Sequence, residues 1–104
     1  MIELLKNLLG LGHKINYAEL VKQGAIVMDV RTKGEYSGGH IRGSLNIPVD
    51  QLNQNTHRFA DKTKVIITCC ASGMRSGAAK SMLKSKGYTN VHNGGSWMGL
   101  KNKI

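Results

Sequence analysis

Short apolar runs alternate with polar, glycine-punctuated segments along the chain, and their two periodicities predict strands alternating with helices. Residues 25–30 and 65–68 are near-continuous apolar runs, the pattern of strands buried on both faces. Residues 44–47 predict a shorter strand, stopped by Pro48, and residues 90–92 a brief one. Between them, residues 17–23 read as a helix with Asn16 as N-cap and Gly24 at its end. Residues 32–37 read as a helical turn closed by Gly38 and Gly39. Val49 and Leu52, at i and i+3, suit a helix over 49–55, and residues 59–64 read as a polar turn. A longer helix is expected over 76–86, with Ala78, Ala79, Met82 and Leu83 on one face and Gly87 ending it. Gly94 and Gly95 read as a turn, and Ser96 as the cap of a last helix running to Lys101. This alternation indicates an α/β fold with a mainly parallel sheet, in which sites lie at the carboxyl ends of strands.

The chain has 104 residues, 40% of them hydrophobic, which suits one domain over 1–104 with its own core. Leu4, Leu5, Leu8, Leu9 and Leu11 recur at helical spacing and predict a short helical extension over 1–12 that caps the core. That segment is interrupted by Glu3, Lys6 and Asn7, so it reads neither as a signal peptide nor as a membrane anchor. No stretch approaches the roughly 20 apolar residues that span a bilayer. Both cysteines, Cys69 and Cys70, are adjacent and cannot staple distant parts of a fold. Their use points to a reducing compartment, most simply the cytoplasm. The formal charge is +9, yet the lysines are scattered and aromatics are few. A field that draws in small anions accounts for the charge without a nucleic-acid partner. His13, His57 and His92 have no partners at metal-ligand spacing, so no metal site is expected.

The strongest chemical signal is the run Cys70-Ala71-Ser72-Gly73-Met74-Arg75. It links a buried strand to a helix, and at such a turn unpaired backbone N–H groups converge. Those donors favour an anion, and so a thiolate over a thiol. Arg75 adds a permanent positive charge. Cys70 is therefore the expected nucleophile. Cys69 points to the opposite face of its strand and reads as a small core residue, with a redox partner of Cys70 as the alternative.

Four segments resemble the single-domain rhodaneses, a sulfurtransferase family. They are Asp29-Val30-Arg31 with Glu35-Tyr36; residues 39–44 continuing to Asn46-Ile47-Pro48; Cys70-x-x-Gly73-x-Arg75-Ser76; and Gly87-Tyr88 with Val91, Gly94, Gly95 and Trp97. The resemblance implies a central parallel sheet of about five strands flanked by helices. It also implies transfer of a sulfane sulfur, from thiosulfate or a persulfide to cyanide or a thiol, through a persulfide on Cys70 without any cofactor. The expected partners are thus a small anionic sulfur donor and a thiol or protein acceptor, with no nucleic acid and no membrane. Related phosphatases of this fold place five residues between Cys and Arg. Here there are four, which suits a sulfur atom better than a phosphate. A sulfur-relay module with little thiosulfate turnover, or a phosphatase or arsenate reductase, are the alternatives.

In the loop such a family implies, the amides of Ala71, Ser72, Gly73, Met74 and Arg75 surround the persulfide. Gly73 supplies a backbone conformation that other residues resist. Arg75 binds an anionic donor or holds the loop through an acidic residue. Ser72 and Ser76 donate to the sulfur or cap the next helix, with capping favoured for Ser76. Asp29 supports the site by bonding Arg31 or loop amides. Arg31 pairs with Glu35 or lines the mouth. His40 reads as a hydrogen-bonded structural residue, and Trp97 and Met98 as core filling near the site.

Overall fold

In the computed structural model, which describes residues 15–104, every strand is parallel to its neighbours. Four strands are present among these residues: β1 (Ile26–Asp29), β2 (Leu45–Asn46), β3 (Ile66–Cys70) and β4 (Val91–Ser96), in the spatial order β2-β1-β3-β4. The expectation of about five came from the resemblance. The apolar runs themselves mark four, and these are the four that pair. The leucine-rich extension over 1–12 lies outside the described residues.

Strict alternation along β1 and β3 divides the core into two layers. Met28, Ile66 and Cys70 join Val30, Ile47, Leu52, Phe59, Ala79, Leu83, Tyr88 and Val91 on one face. Val27, Ile67 and Cys69 join Ile41 and Leu100 on the other, with Tyr17, Leu20, Val21 and Trp97 packed against them. Helices α1 (Tyr17–Lys22) and α4 (Trp97–Lys101) cover the second face, and α3 (Met74–Ser85) covers the first. The short α2 (Lys33–Ser37) follows β1.

Local chemistry explains the helix limits. Asn16 Oδ1 accepts the Glu19 N–H at 3.0 Å, and Ser96 Oγ accepts the Gly99 N–H at 3.1 Å, so both expected N-caps are in place. Thr32 and Glu35 form a reciprocal capping box at the start of α2.

Several local expectations change. Residues Val49–Gln54 form a 3-10 helix, because an apolar pair at i,i+3 matches three residues per turn. Phe59 is no part of a polar turn. It closes a second 3-10 helix (Thr56–Phe59), is buried, and its carbonyl accepts the Tyr88 hydroxyl at 2.9 Å. On α3 the buried line is Ser76, Ala79 and Leu83, while Ala78 is exposed. The helix is rotated to bring Ser76 under the loop.

Gly94 and Gly95 do not turn the chain but lie within β4, which shifts register against β3 between Thr68 and Cys70. A Cβ at Gly94 would lie 2.9 Å from both Ile67 Cγ2 and the Thr68 carbonyl oxygen, so only glycine lets the strand run this close.

Candidate active site

The strand order reverses direction between β1 and β3, and the ends of these two strands carry the predicted site. Asp29 closes β1 beside Cys69, and Cys70 closes β3. Beyond Cys70, Ala71 and Ser72 are exposed, and Gly73 turns the chain with φ +105° to become the N-cap of α3. That left-handed conformation is the one an L side chain resists.

The turn folds donors onto the sulfur. Gly73 N–H donates to Cys70 Sγ at 2.9 Å and Ser76 N–H donates at 3.3 Å. The Cys70 thiol reaches Ser76 Oγ at 3.4 Å, and the Ser76 hydroxyl donates to Asn93 Oδ1 at 2.6 Å. When the thiol loses its proton, the same hydroxyl can turn its own toward sulfur. Cys70 is fully buried. Burial pushes its thiol up, but the Ser76 hydroxyl and the amides of Ser76, Gly73 and Ser72 outweigh that and leave it below the usual range. Ser76 thus serves the sulfur, while the capping role expected of it falls to Gly73. The amide ring expected from residues 71–75 has its short hydrogen bonds at Gly73 and, one residue beyond, at Ser76.

Cys69 has the opposite environment. It faces Val27, Ile41, Ile67 and Leu100. Burial first, then the nearby Asp29 charge, pushes its thiol up to about 12. At neutral pH it is a protonated core residue.

Asp29 and Arg31 form a buried pair, with Arg31 Nη2 at 2.7 Å from Asp29 Oδ2 and Nε at 3.0 Å from Oδ1. Two further Arg31 N–H groups donate to the carbonyls of Gly39 (2.8 Å) and Glu35 (3.3 Å), and its guanidinium lies 4.7 Å from the Trp97 ring centroid. The bond expected between Asp29 and Arg31 is thus present, while the pairing of Arg31 with the Glu35 carboxylate is not. The Glu35 carboxylate instead grips Arg75, Nη1 to Oε1 at 2.7 Å and Nη2 to Oε2 at 2.9 Å. Arg75 first, then the Thr32 amide, holds Glu35 at about 2.

The His40 ring is held against Tyr36. Its Nδ1–H donates to the Tyr36 carbonyl at 2.7 Å, and its ring stacks on Tyr36 at 3.8 Å. Trp97 packs against the second core layer, whereas Met98 is exposed rather than core filling. Met74, on the loop, is 84% exposed.

Asn93 went unread in the sequence. Its Oδ1 accepts the Ser76 hydroxyl and the Gly95 N–H (2.9 Å), and its Nδ2 donates to the Gly73 carbonyl at 3.3 Å, joining β4 to the loop. The signal available was the Asn-x-Gly spacing of an Asx turn. Among the described residues, no group of three or more His, Cys, Asp or Glu side chains is placed to hold a metal ion. Nor is any described helix long and apolar enough to cross a membrane.

Residues 14–103 match the family model of the rhodanese-like domain. The thiosulfate sulfurtransferase PspE of Escherichia coli is 36% identical over 75 residues, covering 71% of this chain and 69% of that protein. A tRNA uridine(34) hydroxylase of Buchnera aphidicola is 28% identical over 78 residues, 70% of this chain but 25% of the relative. The match spans 54% to 69% of the length of the first three curated relatives. A solved rhodanese with anions from E. coli superposes with a TM-score of 0.70 at 31% identity, covering 73% of this chain and 91% of that one. With the parallel sheet, the Cys70 loop and these likenesses in agreement, the chain belongs to the rhodanese-like domain family.

Proposed function

We propose that this domain is a sulfurtransferase that carries a sulfane sulfur as a persulfide on Cys70. The observation that carries this reading is the focus of donors on one sulfur: the Gly73 and Ser76 amides and the Ser76 hydroxyl, with the thiol held below its usual range. The similarity to PspE supports it.

In the first half-reaction the Cys70 thiolate attacks the outer sulfur of thiosulfate or of a persulfide. A new S–S bond forms at Sγ, the donor's S–S bond breaks, and its electron pair leaves with sulfite or a thiolate. In the second, cyanide or a thiol attacks the outer sulfur and the electron pair returns to Sγ. This is covalent, two-step catalysis with ping-pong kinetics. The sulfur itself is the carrier, so the scheme calls on no cofactor. The backbone of Ala71, Ser72, Gly73, Met74 and Arg75 wraps the persulfide, while Asp29, Arg31 and His40 hold the surrounding segments. Cys69 stays outside the chemistry. The partners are then a small sulfur donor and a thiol or protein acceptor, without nucleic acid or membrane. A reduced Cys70 suits the cytoplasm.

A relay domain that takes sulfur from another protein is the second reading. It is favoured by a fully buried Cys70 beside an exposed Met74. Phosphate hydrolysis is disfavoured by a loop one residue shorter than the related phosphatases use.

Steady-state assay with thiosulfate and cyanide tests the enzyme reading. Thiocyanate should form with the parent protein, vanish in Cys70→Ala and persist in Cys69→Ala. Equal turnover in the Cys70→Ala protein would overturn it.

A further inference from the structure

Neither arginine beside the loop is a free counter-ion for thiosulfate. Thiosulfate is a compact dianion, and its approach to a thiolate needs positive charge nearby. Two guanidinium groups stand at the carboxyl ends of β1 and β3, and each is already matched. Arg31 spends its donors on the buried Asp29 carboxylate and two carbonyls. Arg75 is gripped in bidentate fashion by Glu35, the strongest geometry a carboxylate offers it. The Thr32 N–H and hydroxyl hold the same Glu35 carboxylate, at 3.0 and 3.1 Å, in a pair whose side chains are 37% exposed. Held at about 2, Glu35 stays ionised throughout the neutral range. The remaining loop side chains, Ala71, Ser72 and Met74, carry no charge, and Met74 offers an exposed thioether arm. The sulfur therefore sits among amide dipoles, and both arginines beside the loop are paired with carboxylates.

We infer that Glu35, by holding Arg75, sets the donor preference of the Cys70 site toward organic persulfides and against thiosulfate. This rests on the sulfurtransferase reading and narrows it. An organic persulfide, R–S–SH, brings less negative charge than thiosulfate and an organic group for Met74 to contact. Cys70 thiolate attacks its outer sulfur, the Sγ–S bond forms, the S–S bond of the donor breaks, and R–S⁻ leaves with the electron pair. The proton stays on the transferred sulfur. No oxidant or reductant is consumed. Glu35 touches no reacting atom and acts through Arg75, as a positioning residue.

The test compares kcat/KM for thiosulfate and for the persulfide of β-mercaptoethanol, with cyanide as common acceptor. The parent protein should favour the persulfide. Glu35→Gln keeps an acceptor for Thr32 and frees the guanidinium. It should raise the thiosulfate-to-persulfide ratio about tenfold, the worth of one charge-assisted contact, through a lower KM for thiosulfate. Adding Arg75→Gln to Glu35→Gln should return the ratio toward the parent value. A parent that prefers thiosulfate overturns the inference without needing any variant to fold. So does an unchanged ratio in Glu35→Gln, or a raised ratio that survives loss of Arg75. Failure of both donors to load the parent protein would instead remove the sulfurtransferase reading itself.

Discussion

Two neighbouring thiols differ in this protein by the face of the strand on which each lies. Cys69 is enclosed by Val27, Ile41, Ile67 and Leu100, with the Asp29 carboxylate close by, so burial and that charge oppose its thiolate more than Arg31 favours it. Cys70 is just as buried, but donors ring it. Burial alone therefore does not sort reactive from inert cysteines; the hydrogen bonds to the sulfur do. Ser76 gives a direct check, because its hydroxyl is the largest influence opposing burial at Cys70. Removing it in Ser76→Ala should raise the Cys70 thiol pKa, so the midpoint of iodoacetamide alkylation against pH moves upward. An unmoved or lowered midpoint contradicts the role assigned to Ser76. Arg31→Ala is a different kind of change. It strands Asp29 as a buried unpaired charge, at a cost of about 3–5 kcal/mol, and should show as lost stability in denaturant unfolding.

At the scale of elements, the sequence and the structure part company where tertiary contact overrides local pattern. The caps at Asn16 and Ser96 are legible because each is a short-range hydrogen bond between a side chain and an amide three residues on, whereas Thr32, read as the first residue of its helical turn, is the cap of α2. The strand runs are legible because burial on both faces leaves an unbroken apolar signature. Gly94-Gly95 misleads, since two glycines ordinarily mark a turn. Here they let β4 lie against β3 and α4. Gly94→Ala would place a methyl 2.9 Å from Ile67 Cγ2 and 3.0 Å from Leu100 Cδ2. Overpacking of this kind should cost about 2 kcal/mol and lower Tm by on the order of 10 °C. An unchanged Tm would show that β4 can shift without penalty. Helix α3 teaches the same lesson. Its apolar positions include Ala78, but the helix turns Ser76 inward because the sulfur needs its hydroxyl and amide. The Asp29–Arg31 bond was among the pairings the sequence offered, but the pairing of Glu35 with Arg75 was beyond it. It depends on α2 standing over the start of α3, which places Glu35 beside a residue forty positions away.

Across the whole molecule, the sheet order brings the ends of β1 and β3 together, and every group assigned to the site hangs from that junction or the strand beside it. From Lys62 to Ile104 the chain has no acidic residue, so much of the +9 charge lies in the half that carries the Cys70 loop. That field can draw anions toward the domain from a distance. The paired arginines, by contrast, decide what is held once it arrives. Long-range attraction and local selection are thus separate properties of this protein, and a basic surface does not by itself make thiosulfate the donor. The selection depends on one claim, that Cys70 carries the sulfur. Intact-mass measurement after exposure to a sulfur donor, followed by mapping of the modified peptide, tests it most directly. The protein should gain the mass of one sulfur atom on Cys70 and lose it on addition of cyanide, with Cys69→Ala behaving alike and Cys70→Ala gaining nothing. Sulfur found on Cys69, or retained in the Cys70→Ala protein, would contradict the account.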